Sequence, residues 1–222
     1  MRVEARPGAF SIALQNEKLQ LLPEKALYWP RKKSLIISDL HLGKAGHFRK
    51  NGLAVPGNVH FGDLRKMDDL IRSYEIARII FLGDLFHSEM NTEWNVFCDW
   101  VGSYPDIQFT LVEGNHDILP RQSYLDLGVD LHEVLTIDGF SFSHEEVLSD
   151  SCYNISGHIH PGISLRGKGK QGLRVPCFYF KPTHAYLPAF GFFTGIHPLR
   201  KAKGDKVFGV ADGQVLSLNL PQ

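Results

Sequence analysis

The chain has 222 residues, 43% of them hydrophobic, and a formal net charge of zero at pH 7. This predicts one folded domain over residues 1–222 and excludes a general attraction to nucleic acid or anionic membranes. The chain lacks a signal peptide and any apolar run of the ~18 residues that span a membrane, and its three cysteines lie far apart, so we expect a cytoplasmic protein with reduced thiols and no membrane association.

The first predicted element is a hairpin over "FSIALQNEKLQLL", with its turn at "NEK". Five apolar runs of strand length then follow, and each stops at Asp, Asn or His. The runs are "SLIISDLHLG" (34–43), "ARIIFLGDLFHS" (77–88), "QFTLVEGNHD" (108–117), "GFSFSHEE" (139–146) and "CYNISGHIHP" (152–161). Five such endings in one chain indicate that they contribute to the same site.

Helical patterns separate the first three runs. Apolar residues recur at helical spacing between Phe61 and Ile71, Asn91 or Thr92 can cap a second helix, and a short third helix ends at Gly128. Alternating strands and helices predict an α/β domain with parallel strand pairing. Because the carboxyl ends of parallel strands share one edge, we expect the five polar breaks to form one site.

The last third of the chain is rich in strands. "RGKGKQGLR" (166–174) predicts a basic hairpin tip that either follows a phosphate backbone or is simply solvated, and "KVFGVADGQVLSLNL" predicts a closing hairpin with its turn at "DG". These strands extend the predicted fold to a two-sheet β-sandwich flanked by helices, in the layer order α/β/β/α.

Side chains that ligate metals dominate the five strand ends. The candidate ligands are Asp39, His41, Asp84, Asn115, His144, His158 and His160. Buried together without a counter-ion they would be costly, and this set suits Mn²⁺, Fe²⁺ or Zn²⁺. Seven ligands are too many for one tetrahedral ion but fit two divalent ions ~3.5–4 Å apart, with Mn²⁺ preferred and Asp84 as the shared carboxylate. Gly83, Gly114 and Gly157 each precede a ligand, where the backbone must come close to the ions.

The ordered motifs "DLH", "GD", "GNHD", "H" and "GHIH" resemble those of the calcineurin-like metallophosphoesterase superfamily. A narrower resemblance, to the bacterial ligase-associated DNA damage response endonucleases, covers almost the whole chain through "LLPEKALYWP", "DLHLGKAGHFRKNGLAVP", "LGDLFHS", "VEGNHD", "SGHIHP" and "LPAFGFFTG". It implies a metal-dependent phosphodiesterase or DNA endonuclease, with DNA as substrate and a functional association with a DNA ligase and a helicase in DNA repair.

The resemblance also implies roles for individual residues. One metal site corresponds to Asp39, His41, Asp84 and His160, and the other to Asp84, Asn115, His144 and His158. A water or hydroxide shared by the ions attacks phosphorus, and His116, which is not a ligand, assists the departing oxygen. Asp117 either orients the His116 ring or caps the following helix. Lys44 and Arg49 pair with substrate phosphate, or only solvate a loop.

Two departures from the superfamily pattern bear on the substrate. Protein phosphatases read GDxxDRG, whereas His87 and Ser88 stand here in place of Asp-Arg, so the arginine that clamps a phosphomonoester is missing and His87 becomes a candidate for the wall of the site. The usual His-Gly of the fourth motif is "SHEE", which puts two acids beside a ligand. A phosphomonoesterase or a small-molecule phosphodiesterase, acting through the same two metal ions, remains the alternative function.

Overall fold

The structure is a computed structural model that describes residues 6–43, 59–166, 172–192 and 194–219. The strands are β1 (Phe10–Leu14), β2 (Glu17–Leu21), β3 (Leu27–Trp29), β4 (Ser34–Ile37), β5 (Arg78–Leu82), β6 (Gln108–Val112), β7 (Asp130–His132), β8 (Val134–Ile137), β9 (Phe140–Ser143), β10 (Tyr153–Ser156), β11 (Pro161–Arg166), β12 (Gly172–Phe180), β13 (His184–Tyr186), β14 (His197–Pro198), β15 (Lys206–Ala211) and β16 (Gln214–Ser217). The helices are α1 (Val59–Ser73), α2 (Thr92–Gly102) and α3 (Arg121–Leu125), with a 3₁₀ turn at Pro30–Lys32.

The first sheet has seven strands in the order β1-β2-β3-β4-β5-β6-β7. Its first four strands pair antiparallel, and β4 to β7 pair parallel. The parallel half contains the alternating strands and helices that the sequence predicts. Parallel pairing brings the carboxyl ends of β4, β5 and β6 to one edge.

The second sheet has nine strands in the described ranges, ordered β14-β11-β12-β13-β10-β9-β8, with β15 and β16 attached through β12. Strand β10 runs parallel to both β9 and β13. Strands β9 and β10 carry the fourth and fifth polar endings. The five endings are therefore divided between two sheets, three on the first and two on the second.

Two apolar layers hold this arrangement together. One lies between the sheets and includes Trp29, Ile80, Phe142 and Phe178, all with at most 1% of their surface exposed. The other lies between the first sheet and the helices, to which α1, α2 and α3 all contribute buried side chains. The outer face of the second sheet carries a smaller apolar cluster around Tyr179. The predicted fold class, an α/β sandwich of two sheets with helices, is confirmed.

Two local predictions, a helix cap and a hairpin turn, are also confirmed. Asn91 caps α2, and its side chain accepts hydrogen bonds from the backbone N–H groups of Glu93 and Trp94. Asp212 and Gly213 have positive φ in the turn between β15 and β16. The three cysteines are free thiols. None of the helices in the described ranges is long and apolar enough to cross a membrane.

The position of the first turn differs from the prediction. The two residues between β1 and β2 are Gln15 and Asn16, with φ of 48° and 61°, so the turn lies one residue earlier than predicted, shares only Asn16 with "NEK", and leaves Glu17 in β2. A two-residue turn of type I′ has positive φ at both central residues, a condition that Asn meets readily and Gln seldom does.

The layer between the sheets offers a test of the fold. Phe178→Ala should lower the free energy of unfolding by about 3–5 kcal/mol, because it removes a fully buried ring and leaves a cavity. Urea unfolding followed by circular dichroism would measure the loss. The control is Leu216→Ala, at a side chain that is 42% exposed, which should change stability by at most ~0.5 kcal/mol. Equal losses in both variants would contradict the proposed packing.

Candidate metal centre

All seven predicted ligands lie at the same end of the two sheets. On the first sheet Asp39, Asp84 and Asn115 follow the ends of β4, β5 and β6. On the second sheet His144 directly follows β9, and His158 follows β10. His41 and His160 come two residues after Asp39 and His158. Each ligand therefore takes its position from a strand that is fixed by the core.

Most of these residues share an unusual backbone conformation. Five of the seven have φ in the left-handed region: Asp39 at 51°, His41 at 50°, Asp84 at 51°, His158 at 64° and His160 at 49°. A non-glycine residue pays for this conformation, and such residues cluster at functional sites.

Backbone pairing beyond the strand ends compensates for part of this cost. The N–H of Asp39 donates to Gly83 O at 3.3 Å, and the N–H of His41 donates to Asp84 O at 2.8 Å. The pairing between β4 and β5 thus continues into the ligand loops and holds two ligands from one loop against one from the other.

The first group of ligand atoms belongs to Asp39, His41, His160 and Asp84. His160 Nε2 lies 3.2 Å from Asp39 Oδ1 and 3.4 Å from His41 Nε2, and His41 Nε2 lies 3.6 Å from Asp84 Oδ2. The ligand atoms of Asp39, His41 and His160 all lie within 4.8 Å of one another. These separations are short enough for one cation to touch all three.

The second group surrounds the ring of His144. Its Nε2 atom lies 2.9 Å from Asn115 Oδ1, 3.0 Å from His158 Nδ1 and 3.4 Å from Asp84 Oδ1. Its Nδ1 atom lies 3.0 Å from the carbonyl oxygen of Leu82. A carbonyl only accepts, so Nδ1 carries the proton and the Nε2 lone pair faces the other three ligands. In this tautomer Nε2 could bind a metal ion.

The chemistry of the donors fits divalent cations. Asp39 and Asp84 are buried, at 0% and 2% exposure, and among the described residues only histidines form ion pairs with them. Two carboxylates out of water without a lysine or arginine are costly. A divalent ion removes that cost and is also the natural partner of the lone pairs that converge on it.

Two glycines allow the loops to approach so closely. A methyl group on Gly114 would lie 2.5 Å from Asp84 Oδ1, and one on Gly157 would lie 2.6 Å from Asp39 Oδ2. Both distances are shorter than any real contact of a Cβ atom. Each of these two glycines therefore faces a buried carboxylate, and this is why the backbone can come so close only where no side chain is present.

The family of the chain can now be decided. Residues 32–174, more than half of the sequence, match the model of the family described as calcineurin-like phosphoesterase. The chain belongs to the calcineurin-like phosphoesterase family. It is accordingly a hydrolase that acts on phosphoester bonds, as the motifs predict, and its candidate ligands are those of a metal-dependent phosphoesterase.

Three solved structures have been compared with the chain. A nuclease from Pseudomonas putida, called MPE, is 27% identical and superposes with a TM-score of 0.81 over 95% of this chain and 100% of its own. A protein of unknown function from Aquifex aeolicus is 17% identical, with a TM-score of 0.41, and covers 62% of this chain and 82% of its own. A predicted phosphoesterase from Streptococcus pneumoniae is 12% identical, with a TM-score of 0.35, and covers 83% and 94%. No curated protein matches the chain.

His116 and His87 lie side by side at the phosphoesterase site. The backbone N–H of His116 donates to Asp84 Oδ1 at 3.0 Å, so the residue is fixed to a ligand although its side chain belongs to neither ligand group. Its ring centroid is 4.1 Å from that of His87 and 6.0 Å from that of His41. His87 therefore lies close to both His116 and the candidate ligand His41, with its ring centroid 5.2 Å from that of His41. Lys44 and Arg49, the other two predicted substrate contacts, lie outside the described residues.

The hydrogen bonds of Asp117 indicate a structural role that was not predicted for it. Its carboxylate accepts hydrogen bonds from the backbone N–H groups of Leu85 at 2.8 Å, Phe86 at 3.1 Å and Gly114 at 2.8 Å. The helix-cap prediction is wrong, because α3 begins at Arg121 with Pro120 before it. The hydrogen bonds described for the carboxylate go to backbone and not to the His116 ring.

The consequence is that Asp117 fastens the loop after β6 to the loop after β5. Burial raises the pKa of Asp117 to about 6, although the three backbone hydrogen bonds act in the opposite direction. A carboxylate that is held by three N–H groups fixes the loops on which Asp84, Asn115 and His116 lie.

A strap over residues 188–192 supports the backbone of Asp39 from behind. The N–H groups of Phe190 and Gly191 donate to the carbonyl oxygens of Ser38 and Asp39, at 2.9 and 3.2 Å. Two lysines hold the strap from the other side, since Lys66 Nζ donates to Phe190 O at 2.8 Å and Lys25 Nζ donates to Gly191 O at 3.2 Å.

The pKa values of these two lysines are lowered. Burial lowers the pKa of Lys25 to about 8 and lowers that of Lys66 against the opposing effect of Asp63. "LPAFG" was visible in the sequence as part of a family motif, but nothing in the pattern paired it with lysines more than a hundred residues away.

The two acids after His144 have separate environments. Glu145 is exposed, with Oε1 3.9 Å from His158 Nε2, whereas Glu146 accepts a hydrogen bond from the Tyr186 hydroxyl and lies 3.0 Å from His184 Nε2. Burial lowers the pKa of His184, while the Glu146 carboxylate works against that shift. The loop after His144 is thereby attached to β13.

Gly114 provides a direct test of the close approach. Gly114→Ala should reduce metal binding and activity, because the added methyl group would overlap the Asp84 carboxylate. The matched control is Gly102→Ala at the end of α2, where nothing lies within 4 Å of an added methyl group and alanine favours the helix by up to about 1 kcal/mol. Elemental analysis after chelation and reloading with Mn²⁺ would compare both with wild type. Normal metal content in Gly114→Ala would contradict a close approach of Gly114 to the Asp84 carboxylate.

Proposed function

We propose that this enzyme is a nuclease that hydrolyses phosphodiester bonds of nucleic acid, with DNA as its substrate. The observation that carries the proposal is the likeness to the Pseudomonas putida nuclease, which extends over 100% of that protein and 95% of this one at 27% identity.

The proposed centre holds two divalent ions, preferably Mn²⁺. One would be bound by Asp39, His41, Asp84 and His160, and the other by Asp84, Asn115, His144 and His158, so that Asp84 is shared. When bound, such ions lower the pKa of a water molecule and neutralise charge on phosphate oxygens. The two carboxylates offset only half of the ionic charge, which leaves a positive site that attracts an anionic phosphodiester.

The residues around this centre support a diester as substrate. His87 lies beside His116, and the next residue, Ser88, stands where the phosphatase motif has its arginine. An arginine fork helps to hold the doubly charged phosphate of a monoester. A histidine pair suits the single negative charge of a diester phosphate and leaves less repulsion to overcome from neighbouring phosphates.

His116 is the proposed general acid. Its backbone is fixed to Asp84, its side chain is exposed, and neither ligand group needs its ring. The loop that carries it is held by Asp117, so the ring stays next to the centre without being bound to it. The position fits a group that donates a proton to the oxygen that leaves phosphorus. By the family resemblance, the biological setting would be DNA repair together with a ligase and a helicase.

A substrate panel tests the proposal. With Mn²⁺ present, bis-p-nitrophenyl phosphate should have a higher kcat/KM than p-nitrophenyl phosphate, and labelled single-stranded or duplex DNA should be cut internally. The physical reason is the missing arginine clamp and the single charge of a diester phosphate. A higher kcat/KM for the monoester would refute the nuclease proposal and favour a phosphomonoesterase. Hydrolysis of 2′,3′-cyclic nucleotide without cleavage of DNA would favour a small-molecule phosphodiesterase.

The leaving group tests the role of His116. His116→Ala should keep the wild-type metal content, about two ions per chain, and lower kcat on a nucleotide diester by roughly 10²–10⁴. The loss on bis-p-nitrophenyl phosphate should be small, because p-nitrophenolate leaves without a proton whereas a sugar alkoxide needs one. Equal losses on both substrates would mean that His116 stabilises charge instead of donating a proton. Loss of metal would make it a ligand.

A further inference from the structure

Strand β1 forms one edge of the first sheet, and within the described residues it pairs with β2 alone. The two-residue turn at Gln15 and Asn16 makes Leu14 and Glu17 a hydrogen-bonded pair, and the alternation of antiparallel pairing then extends to Ile12 and Phe10. The backbone N–H and C=O groups of the residues between them, Ser11 and Ala13, therefore point away from β2. Among the described residues, no backbone hydrogen bond uses these four outward groups.

The edge also lacks the features by which proteins block unwanted strand pairing. β1 reads FSIAL, without charge, proline or bulge, and the side chains of Ser11 and Ala13 are small and exposed. The opposite edge of the same sheet, β7, is only three residues long and carries an exposed aspartate, Asp130. Short and charged edges are protected against pairing, and a longer uncharged one is a template for it.

Two hollows adjoin this edge. A cavity of about 430 Å³, a size typical of binding sites, lies between β1 and the second sheet. Aromatic rings form part of its lining, and the centroids of Phe10 and Phe208 are 5.0 Å apart. A second hollow, of about 380 Å³, is lined by Ser11–Ala13 and Asn16–Lys18.

The larger cavity has a defined charge. Lys181 and Lys206 lie in its lining, and none of its lining residues is acidic. Lys206 shares a face of β15 with Phe208, so an ammonium group and an aromatic ring are presented next to each other. An occupant that fits both would combine apolar and acidic side chains.

We propose that the β1 edge binds an extended segment of a partner protein in which apolar residues alternate with acidic ones. The segment would add a strand to the first sheet through hydrogen bonds to Ser11 and Ala13. Its apolar side chains would enter the aromatic cavity, and its carboxylates would pair with Lys181 and Lys206. Free main-chain groups with hollows for alternate side chains are the requirements of this mode of recognition.

The position of the edge suits recruitment of the enzyme. Three strand spacings, about 14 Å, separate β1 from β4, where the first ligands are found. A strand added at β1 would leave the metal centre open, so the partner could hold the enzyme near its substrate without blocking hydrolysis.

A library of random heptapeptides displayed on phage tests the proposal on the full chain. Proline at position 13 removes the outward N–H but none of the bonds to β2, so Ala13→Pro should fold normally. Selected peptides should alternate apolar residues with Asp or Glu, and Ala13→Pro should weaken their binding at least about tenfold. The matched control, Ala13→Val, keeps the N–H and should keep the binding. Both variants should have the circular dichroism spectrum and the urea unfolding midpoint of wild type, which confirms their fold.

The charge component has its own test. The double variant Lys181→Glu/Lys206→Glu should bind the selected peptides more weakly. It should bind more tightly those versions of the peptides in which lysine replaces each Asp or Glu. Failure to select any peptide that depends on the Ala13 N–H, or equal binding after charge reversal, would overturn the proposal. Sedimentation that shows a wild-type dimer, monomeric in Ala13→Pro, would assign the edge to a second copy of the chain and would also overturn it. None of these outcomes depends on the nuclease proposal.

Discussion

Asp39 and Asp84 are buried carboxylates at the ends of adjacent parallel strands, and the ligand loops are arranged around them. Like charges taken out of water repel each other and lose hydration, so the fold has to bring compensating groups to this place. The backbone supplies some of them, since the N–H of His158 donates to Asp39 and that of His116 donates to Asp84. Imidazole and amide groups then complete a set that favours cations.

The supports behind these carboxylates explain why so many loops converge here. Asp117 gathers three N–H groups from two loops, and the strap over residues 188–192 pairs with the backbone beside Asp39. Both supports use charged groups that are partly withdrawn from water, a carboxylate in one case and two lysines in the other. Such supports restrict movement of the ligand loops, and a metal site gains affinity and selectivity from that restriction.

The convergence of the candidate ligands could be predicted from the sequence because the signal is local. An apolar run that stops at Asp, Asn or His can be seen in ten residues, and parallel pairing brings the stops together. The partners of Asp117 could not be predicted, because Leu85 and Phe86 meet it only through the tertiary fold. The burial of Lys25 and Lys66 could not be predicted for the same reason, since a lysine is expected to be solvated unless the fold shows otherwise. The turn at Gln15 was missed because glutamine seldom adopts positive φ.

The left-handed backbone at five ligand positions limits how this centre can change. A substitute at Asp39, His41, Asp84, His158 or His160 must offer a donor atom and also tolerate positive φ. Asn, Asp and His tolerate it better than other residues, and β-branched residues tolerate it least. Few residue types can therefore replace these five, whether in evolution or in a redesign of metal preference. Glu and Cys, which would favour harder or softer metal ions, carry a conformational penalty at these positions.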